Sequence, residues 1–153
     1  MSKVLKIGQI SDIHIGNGEE LVQGIDVCAN FRSALESGSM KNLDLLVLSG
    51  DLAENAEAGA YEYVASLLKD YKSPWCVIPG NHDNLDLMKK YFDLDGKVSG
   101  DRCFYRYDLE GKSIFFLEKV HRPRQRSANA NEVKGPHSFI NTLKHFQAQQ
   151  CLK

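Results

Sequence analysis

The hydrophobic residues in the N-terminal two thirds of the chain form two kinds of pattern. Three short apolar runs occupy residues 3–10, 43–48 and 75–78. Their length is typical of strands rather than helices. The second run is almost continuously apolar, which indicates a strand that is covered on both faces, as in a parallel sheet. We therefore expect three strands in this part of the chain.

The segments between these runs have the spacing of amphipathic helices. Apolar residues recur there at steps of three and four, which places them on one helical face. Gly38 and the Ser73-Pro74 pair mark the C-terminal ends of the two helices. The first face consists of Leu21, Ile25, Cys28, Phe31 and Leu35. The second consists of Tyr61, Val64, Leu67, Leu68 and Tyr71.

The chain after the third run predicts a short helix and a hairpin. Asp83 or Asn84 is a suitable N-cap for the helix. The apolar residues of this helix are Leu85, Met88 and Tyr91. Residues 103–109 alternate, 110–112 form a turn and 114–117 are apolar, which indicates a β-hairpin. The order strand, helix, strand, helix, strand, then hairpin predicts an α/β fold with a parallel sheet.

Length and composition indicate one ordinary globular domain. The chain has 153 residues, of which 42% are hydrophobic and 25% charged. No apolar stretch approaches the roughly 20 residues of a membrane span, and the N-terminus has no signal-peptide pattern. We therefore expect a cytoplasmic protein without a membrane partner. The four cysteines form no CxxC pair, which favours reduced thiols over a disulfide framework or a zinc knuckle.

The charge distribution divides the chain near residue 119. Residues 1–118 hold 12 Lys/Arg and 19 Asp/Glu, a net charge of −7, whereas residues 119–153 hold 7 Lys/Arg and 1 Asp/Glu, a net charge of +6. The second part is rich in loop-forming residues, and only 139–152 has a helical pattern. We predict a folded unit over residues 1–118 and a basic tail over 119–153 that consists of a loop and a short helix.

Polar residues with metal-ligand or proton-transfer chemistry follow each of the three predicted strands. In chain order they are Asp12, His14, Asp51, Asn81, His82 and Asp83. Taken singly, each is also explained as a turn, cap or surface residue, and only their joint occurrence indicates a site. The carboxyl ends of successive parallel strands border one crevice, so these side chains are expected to lie together. Carboxylate, imidazole and amide donors suit Mn²⁺, Fe²⁺ or Zn²⁺ better than Ca²⁺.

The three motifs resemble those of the calcineurin-like metallophosphoesterases. "SDIH", "SGDL" and "PGNHD" match the D-x-H, G-D and G-N-H-[DE] blocks of that family in the same order. The stretches "EAGAYEYVASLLKDYKSPWCVIPGNHDN" and "DRCFYRYDLEGKSIFFLE" are similar to the bacterial class III cyclic-nucleotide phosphodiesterases. The resemblance covers about residues 4–118.

The resemblance implies a fold and a reaction. The fold would be the N-terminal half of a two-sheet β-sandwich flanked by helices. Two divalent metal ions (Mn, Fe or Zn) would activate a water for phosphodiester hydrolysis. The substrate would be a small phosphorylated molecule such as a 3',5'-cyclic nucleotide. His82 would be the general acid or a transition-state stabiliser, with Asp83 orienting its ring.

The resemblance also implies a ligand role for four residues. Asp12 and His14 would ligate the first metal, and Asp51 would bridge both metals. Asn81 would ligate the second metal.

The chain departs from the family pattern in its second half. The later G-H-x-H motif is absent, and His121, His137 and His145 do not match its spacing. The alternative interpretation is therefore a truncated, inactive relative that binds one metal weakly or needs a partner chain for the missing histidines. A half sandwich would also leave a sheet uncovered and favour self-association. Nucleic-acid binding by "RPRQR" is disfavoured because no aromatic stacking residues lie nearby.

Overall fold

A computed structural model of the chain describes residues 4–17, 21–99 and 102–117. Within these ranges the chain forms three α-helices and six strands. The strands are β1 (Ile7–Ser11), β2 (Leu45–Ser49), β3 (Trp75–Ile78), β4 (Val98–Ser99), β5 (Arg102–Leu109) and β6 (Lys112–Leu117). The helices are α1 (Val27–Glu36), α2 (Ala58–Lys69) and α3 (Leu85–Tyr91). The order of these elements confirms the predicted α/β fold class.

The first three strands form a parallel sheet in the order β1-β2-β3. The central strand β2 is the most apolar of the three, and its residues 45–48 are all 0% exposed. The register pairs Ser11 of β1 with Ser49 of β2, and Ser49 with Ile78 of β3. The three strands therefore end at one edge of the sheet, and the loops that follow them begin side by side.

The three helices bury their apolar residues in the core that covers this sheet. The buried helical residues are Cys28, Phe31 and Leu35 of α1, Ala60, Tyr61, Val64 and Leu68 of α2, and Met88 of α3. Asn84, one of the two predicted caps, begins α3 by accepting a hydrogen bond from the Leu87 amide at 3.0 Å. Asp83 is not available for capping because its carboxylate is engaged elsewhere, as described below.

Helix α1 is shorter than its predicted apolar face. Leu21 and Ile25 precede the helix and are 56% and 46% exposed. A turn with Gly24 at a φ of 80° lies between them. Asp26 then caps the helix, because its side chain accepts a hydrogen bond from an amide of the first turn. The turn and the cap determine the helix start more strongly than the spacing of apolar residues does.

The last three strands form a separate antiparallel sheet in the order β4-β5-β6. β5 and β6 are the predicted hairpin, and Gly111 occupies the turn with a φ of 74°. The two-residue strand β4 is too short to leave a periodic pattern in the sequence. Among the described side chains of this sheet, only Cys103 and Phe116 are buried, whereas Phe104 and Phe115 are 45% and 50% exposed.

The predicted tail lies outside the described residues, including the helix proposed at 139–152. In the part of the chain that the structure describes, no helix has both the length and the hydrophobicity needed to cross a membrane.

Candidate metal centre

Main-chain hydrogen bonds join the three motif loops at the edge of the parallel sheet. The His14 amide donates to the Asp51 carbonyl oxygen at 2.9 Å, which extends the pairing of β1 with β2. The Gly50 amide donates to the Ile78 carbonyl oxygen at 2.8 Å, which ties the end of β2 to the end of β3. The motif residues therefore share one edge, as the strand order predicts.

Three of the predicted ligands have left-handed backbone conformations. Their φ angles are 55° at Asp12, 48° at His14 and 44° at Asp51. This conformation is uncommon outside glycine, although aspartate and histidine adopt it more readily than most residues. Each such residue costs on the order of 1–3 kcal/mol, and residues of this kind cluster at functional sites. Their concentration just after β1 and β2 marks this edge of the sheet as a candidate site.

Asp51 lies at the centre of the three loops. It is 5% exposed and is the only buried charged residue among those that the structure describes. Its Oδ1 accepts a hydrogen bond from the His82 amide at 2.9 Å. A Cβ atom on Gly80 would lie 2.0 Å from Asp51 Oδ1 and 2.2 Å from the Asp51 nitrogen. The close approach of the β3 loop to Asp51 therefore requires glycine at position 80.

Asp12, His14 and Asp51 form a group that fits a divalent cation. Each offers one ligand atom, and these atoms lie within 4.8 Å of one another. Asp51 Oδ2 is 3.9 Å from His14 Nε2. No described lysine or arginine forms an ion pair with the buried Asp51, although buried charges are normally paired or bound to a metal. Two carboxylates and an imidazole are a suitable ligand set for Mn²⁺, Fe²⁺ or Zn²⁺.

Glu54 is a site residue that the sequence analysis did not identify. Its Oε2 lies 2.7 Å from His14 Nδ1. The two atoms are not aligned for a hydrogen bond, so Nδ1 is a buried nitrogen without a hydrogen-bond partner among the described residues. The available signal was the carboxylate three positions after Asp51 in "SGDLAEN". Nothing in the spacing alone distinguishes it from a solvated surface glutamate.

The exposed His82 ring lies next to His14 and contacts Glu54 through the main chain. The two imidazole rings meet edge to face, with centroids 4.9 Å apart. His82 Nδ1 is 2.7 Å from the Glu54 carbonyl oxygen. A carbonyl oxygen only accepts hydrogen bonds, so Nδ1 carries the proton and Nε2 is the nitrogen left for a ligand or substrate. His14, Glu54 and His82 also place potential ligand atoms within 4.8 Å of one another.

Asp83 does not orient the His82 ring, which corrects the role that the sequence analysis expected. Its Oδ2 accepts hydrogen bonds from the amides of Leu52 and Gly80, at 3.0 and 2.8 Å. Its Oδ1 accepts hydrogen bonds from the Ala53 amide at 3.0 Å and the Tyr61 hydroxyl at 3.2 Å. All four hydrogen bonds go to groups other than the His82 ring. Because Leu52 and Ala53 follow β2 and Gly80 follows β3, the carboxylate links the two loops.

Burial changes the ionisation of this pair of residues. It raises the pKa of Asp83 above its usual value, against the opposing effect of the three backbone amides. It also raises the pKa of the Tyr61 phenol well above its ordinary value of about 10. Tyr61 therefore remains a neutral donor to Asp83, and its oxygen accepts a hydrogen bond from the Asn84 amide at 2.8 Å.

Asn81 lies on the same loop, between Gly80 and His82. Its side chain is exposed and forms no hydrogen bond with the other described residues. Both of its neighbours contact Asp51, so the main chain of Asn81 is at the site. Its role as a ligand of a second metal stays a prediction.

Sequence comparison now identifies the family. The sequence model of the calcineurin-like phosphoesterases matches residues 5–145, which is most of the chain. The chain belongs to the calcineurin-like phosphoesterase family. This confirms the resemblance predicted from the three motifs. The match continues past residue 118, where the motif-based resemblance was expected to end, into residues that the structure does not describe.

Three relatives show how much of a family member the chain represents. It is 64% identical over 118 residues to a probable cyclic nucleotide phosphodiesterase of Fibrobacter succinogenes, covering 77% of this chain and 46% of that protein. It is 30% identical over 103 residues to the 3',5'-cyclic adenosine monophosphate phosphodiesterase CpdA of Escherichia coli K12, covering 65% of this chain and 38% of that protein. It is 32% identical over 88 residues to a probable glycerophosphodiester phosphodiesterase of Arcobacter nitrofigilis, covering 56% of this chain and 32% of that protein. The chain thus spans about half the length, or less, of these relatives.

Proposed function

We propose that this chain provides a divalent-metal site for phosphodiester hydrolysis, with Asp12, His14 and Asp51 as its central ligands. The observation that carries the proposal is the convergence of these three side chains, all with strained backbones, at one edge of the parallel sheet. Asn81 is the proposed additional ligand, because its neighbours on the loop contact Asp51. The metals that best suit this donor set are Mn²⁺, Fe²⁺ and Zn²⁺.

Two bound metals would supply a water of lowered pKa and a clamp for the phosphoryl oxygens. The contacts of Asp51 hold its carboxylate in the orientation that this chemistry needs. The His82 amide fixes its Oδ1, while Oδ2 faces the imidazole of His14. The carboxylate is thus oriented before any ligand binds, which lowers the conformational entropy lost on binding.

His82 is the proposed catalytic group that contacts the substrate. Its Nδ1 donates to the main chain, so Nε2 of this exposed ring is the nitrogen left to meet a substrate. A protonated ring would present an N–H at Nε2, which can donate to a phosphoryl oxygen or protonate the leaving group. Asp83 is proposed as a positioning residue: it holds the loops that carry Asp51 and His82 in register.

A 3',5'-cyclic nucleotide is the proposed substrate class. Two of the relatives named above carry a cyclic-nucleotide phosphodiesterase name, and the one with 64% identity is among them. A glycerophosphodiester is the second candidate, since the Arcobacter relative at 32% identity is named for that reaction. Both are small phosphodiesters, so the same metal chemistry serves either.

The proposal is tested by hydrolysis of a generic aryl phosphodiester with purified protein and added Mn²⁺. Asp51→Asn, prepared in parallel, is the matched control, because it keeps the size of the side chain and removes its charge. We expect Mn²⁺-dependent turnover that the variant lacks. Folded protein without turnover would contradict activity of this chain. Equal turnover by the variant would mean that the hydrolysis does not depend on the proposed metal site. The first of these results would favour an inactive relative or one that requires histidines from a partner chain.

A further inference from the structure

We propose that Glu54 is a positioning residue that sets the orientation of both site imidazoles, His14 through its side chain and His82 through its main chain. The inference rests on the proposed metal site and adds a residue that the sequence analysis did not identify. Glu54 contacts Nδ1 of each ring at the same distance, 2.7 Å. One residue is therefore positioned to direct Nε2 of both rings toward the reaction site.

The main chain of Glu54 is held firmly enough to act as a template. Its amide donates to the carbonyl oxygen of the fully buried Ile15 at 2.9 Å. The two residues before it, Leu52 and Ala53, are 1% and 0% exposed, and Asp83 accepts hydrogen bonds from their amides. The two preceding residues and the hydrogen bond to Ile15 thus fix the carbonyl group that meets His82.

The side chain of Glu54 explains how His14 is directed to Asp51. A metal-binding histidine commonly donates its second N–H to a carboxylate, which fixes the tautomer and the ring orientation. Here Nε2 of His14 faces Asp51, and Nδ1 faces Glu54. The Nδ1 atom has no hydrogen-bond partner among the described residues in the present geometry. The Glu54 carboxylate is partly exposed and already within contact distance, so we expect it to rotate into line with the N–H.

The competing role for Glu54 is that of a direct metal ligand, because it lies in a group with His14 and His82. We favour positioning for two reasons. First, the Nδ1 atom of His82 is already bonded to a carbonyl oxygen. Second, a metal held by Glu54 would be bound by Nδ1 of His14, whereas a metal held by Asp51 would be bound by Nε2 of the same ring. The two roles differ in what glutamine does at position 54, since an amide oxygen still accepts a hydrogen bond but is a weaker ligand than a carboxylate.

The orientation is tested first without metal, by long-range ¹H–¹⁵N NMR spectra of the histidine side chains. His14→Gln and His82→Gln variants assign the signals. We expect both rings to carry the proton on Nδ1 in the wild-type chain. Glu54→Ala should shift His14 toward the Nε2–H tautomer that imidazole prefers in water, and leave His82 unchanged, because its partner is a main-chain carbonyl. Glu54→Gln should retain the wild-type tautomers. Glu62→Ala, at an exposed glutamate of α2, is the control and should change neither ring.

An Nε2–H tautomer in the wild-type chain, or a His14 tautomer that is unchanged in Glu54→Ala, would overturn the proposal.

Mn²⁺ titration by calorimetry then separates the positioning role of Glu54 from the role of a direct ligand. We expect Glu54→Ala to bind Mn²⁺ about 10- to 100-fold more weakly than the wild-type chain, and Glu54→Gln to remain close to it. Equal losses in both variants would make Glu54 a ligand and overturn its positioning role. Equal Mn²⁺ affinity of the wild-type chain and Asp51→Asn would contradict the proposed function, while the tautomers still decide the role of Glu54.

Discussion

The two sheets of this chain differ in burial and in the chemistry that they present. The parallel sheet has a central strand whose residues 45–48 are fully buried, and its strands end in Asp12, Asp51 and the loop of His82. The antiparallel sheet exposes Phe104 and much of its outer face. Among the described residues, neither group of potential metal ligands includes a residue of the antiparallel sheet. Stability and candidate function are thus concentrated in the first sheet.

This difference follows from how the two kinds of sheet are built. Crossover helices cover the faces of a parallel sheet, so its strands are apolar throughout and polar groups collect at their ends. An antiparallel hairpin needs only one buried face. Its other face is free to contact water or further protein. We therefore expect substitutions in the two sheets to have separable effects.

The largest expected effect comes from truncation of a core side chain in β2. Leu48→Ala removes a fully buried side chain from the central strand and should lower the free energy of unfolding by about 2–5 kcal/mol. Phe104→Ala, in the antiparallel sheet, removes a side chain that is 45% exposed and should cost much less. Urea denaturation of both variants measures the difference. Equal losses would mean that the half-exposed Phe104 contributes as much to stability as a fully buried residue of β2, and the contrast drawn above would be wrong.

A smaller loss is expected where the β3 loop meets Asp51. Gly80→Ala would place a Cβ atom 2.0 Å from Asp51 Oδ1, so the loop must shift. We expect a loss of about 1–3 kcal/mol in unfolding free energy, together with weaker Mn²⁺ binding. Gly38→Ala is the matched control, because a Cβ there meets nothing within 4 Å. Unchanged stability and Mn²⁺ affinity in Gly80→Ala would show that the loop is not held against Asp51.

The link between α2 and the site is tested by Tyr61→Phe. The variant loses the hydroxyl that donates to Asp83 and accepts from the Asn84 amide, and should be destabilised by about 1 kcal/mol at neutral pH. Tyr107→Phe in β5 is the control, because its hydroxyl forms no hydrogen bond with the described residues. Thermal denaturation of both variants should show a lower Tm for Tyr61→Phe alone.

The same variant tests how the stability of the chain depends on pH. The pKa of Tyr61 is higher in the folded chain than the value of about 10 in the unfolded chain. Its contribution to stability is therefore fully present below pH 10 and is lost as the pH rises through the folded pKa. Tyr61→Phe should lose less stability than the wild-type chain over that alkaline range. A steeper loss in the variant would contradict burial of the phenol.

The smallest perturbation is chemical rather than mutational. Burial raises the pKa of the Cys76 thiol in β3 to about 12. At pH 8 the folded chain should therefore hold almost no Cys76 thiolate, and alkylation by iodoacetamide should be slow. Peptide mapping by mass spectrometry should show rapid labelling only in urea. Similar labelling rates with and without urea would mean that β3 is not packed as described.

The sequence was sufficient to predict most of the fold because local patterns and tertiary packing agree. The third strand was predicted at 75–78, and the structure places β3 at the same residues. The start of α1 was wrong because Leu21 and Ile25 have helical spacing, while the turn at Gly24 and the cap at Asp26 override it. Strand β4 was missed because a two-residue strand forms only through its pairing with β5.

The site was predictable only in part, for a related reason. Strand order alone brought Asp12, His14 and Asp51 to one edge, and the structure places them together. The contacts of individual side chains depend on loop conformation, which leaves no periodic signal. Asp83 was therefore given the wrong partner, and Glu54 was overlooked.

The central claim is that the ends of the parallel strands form a divalent-cation site, and Mn²⁺ titration by calorimetry tests it most directly. The full-length chain and its Asp51→Asn variant should be compared at equal concentration, with folding of both checked by circular dichroism. We predict saturable Mn²⁺ binding by the wild-type chain that is abolished or severely weakened in the variant. The same affinity in both chains, or no binding by folded wild-type protein, would contradict the claim.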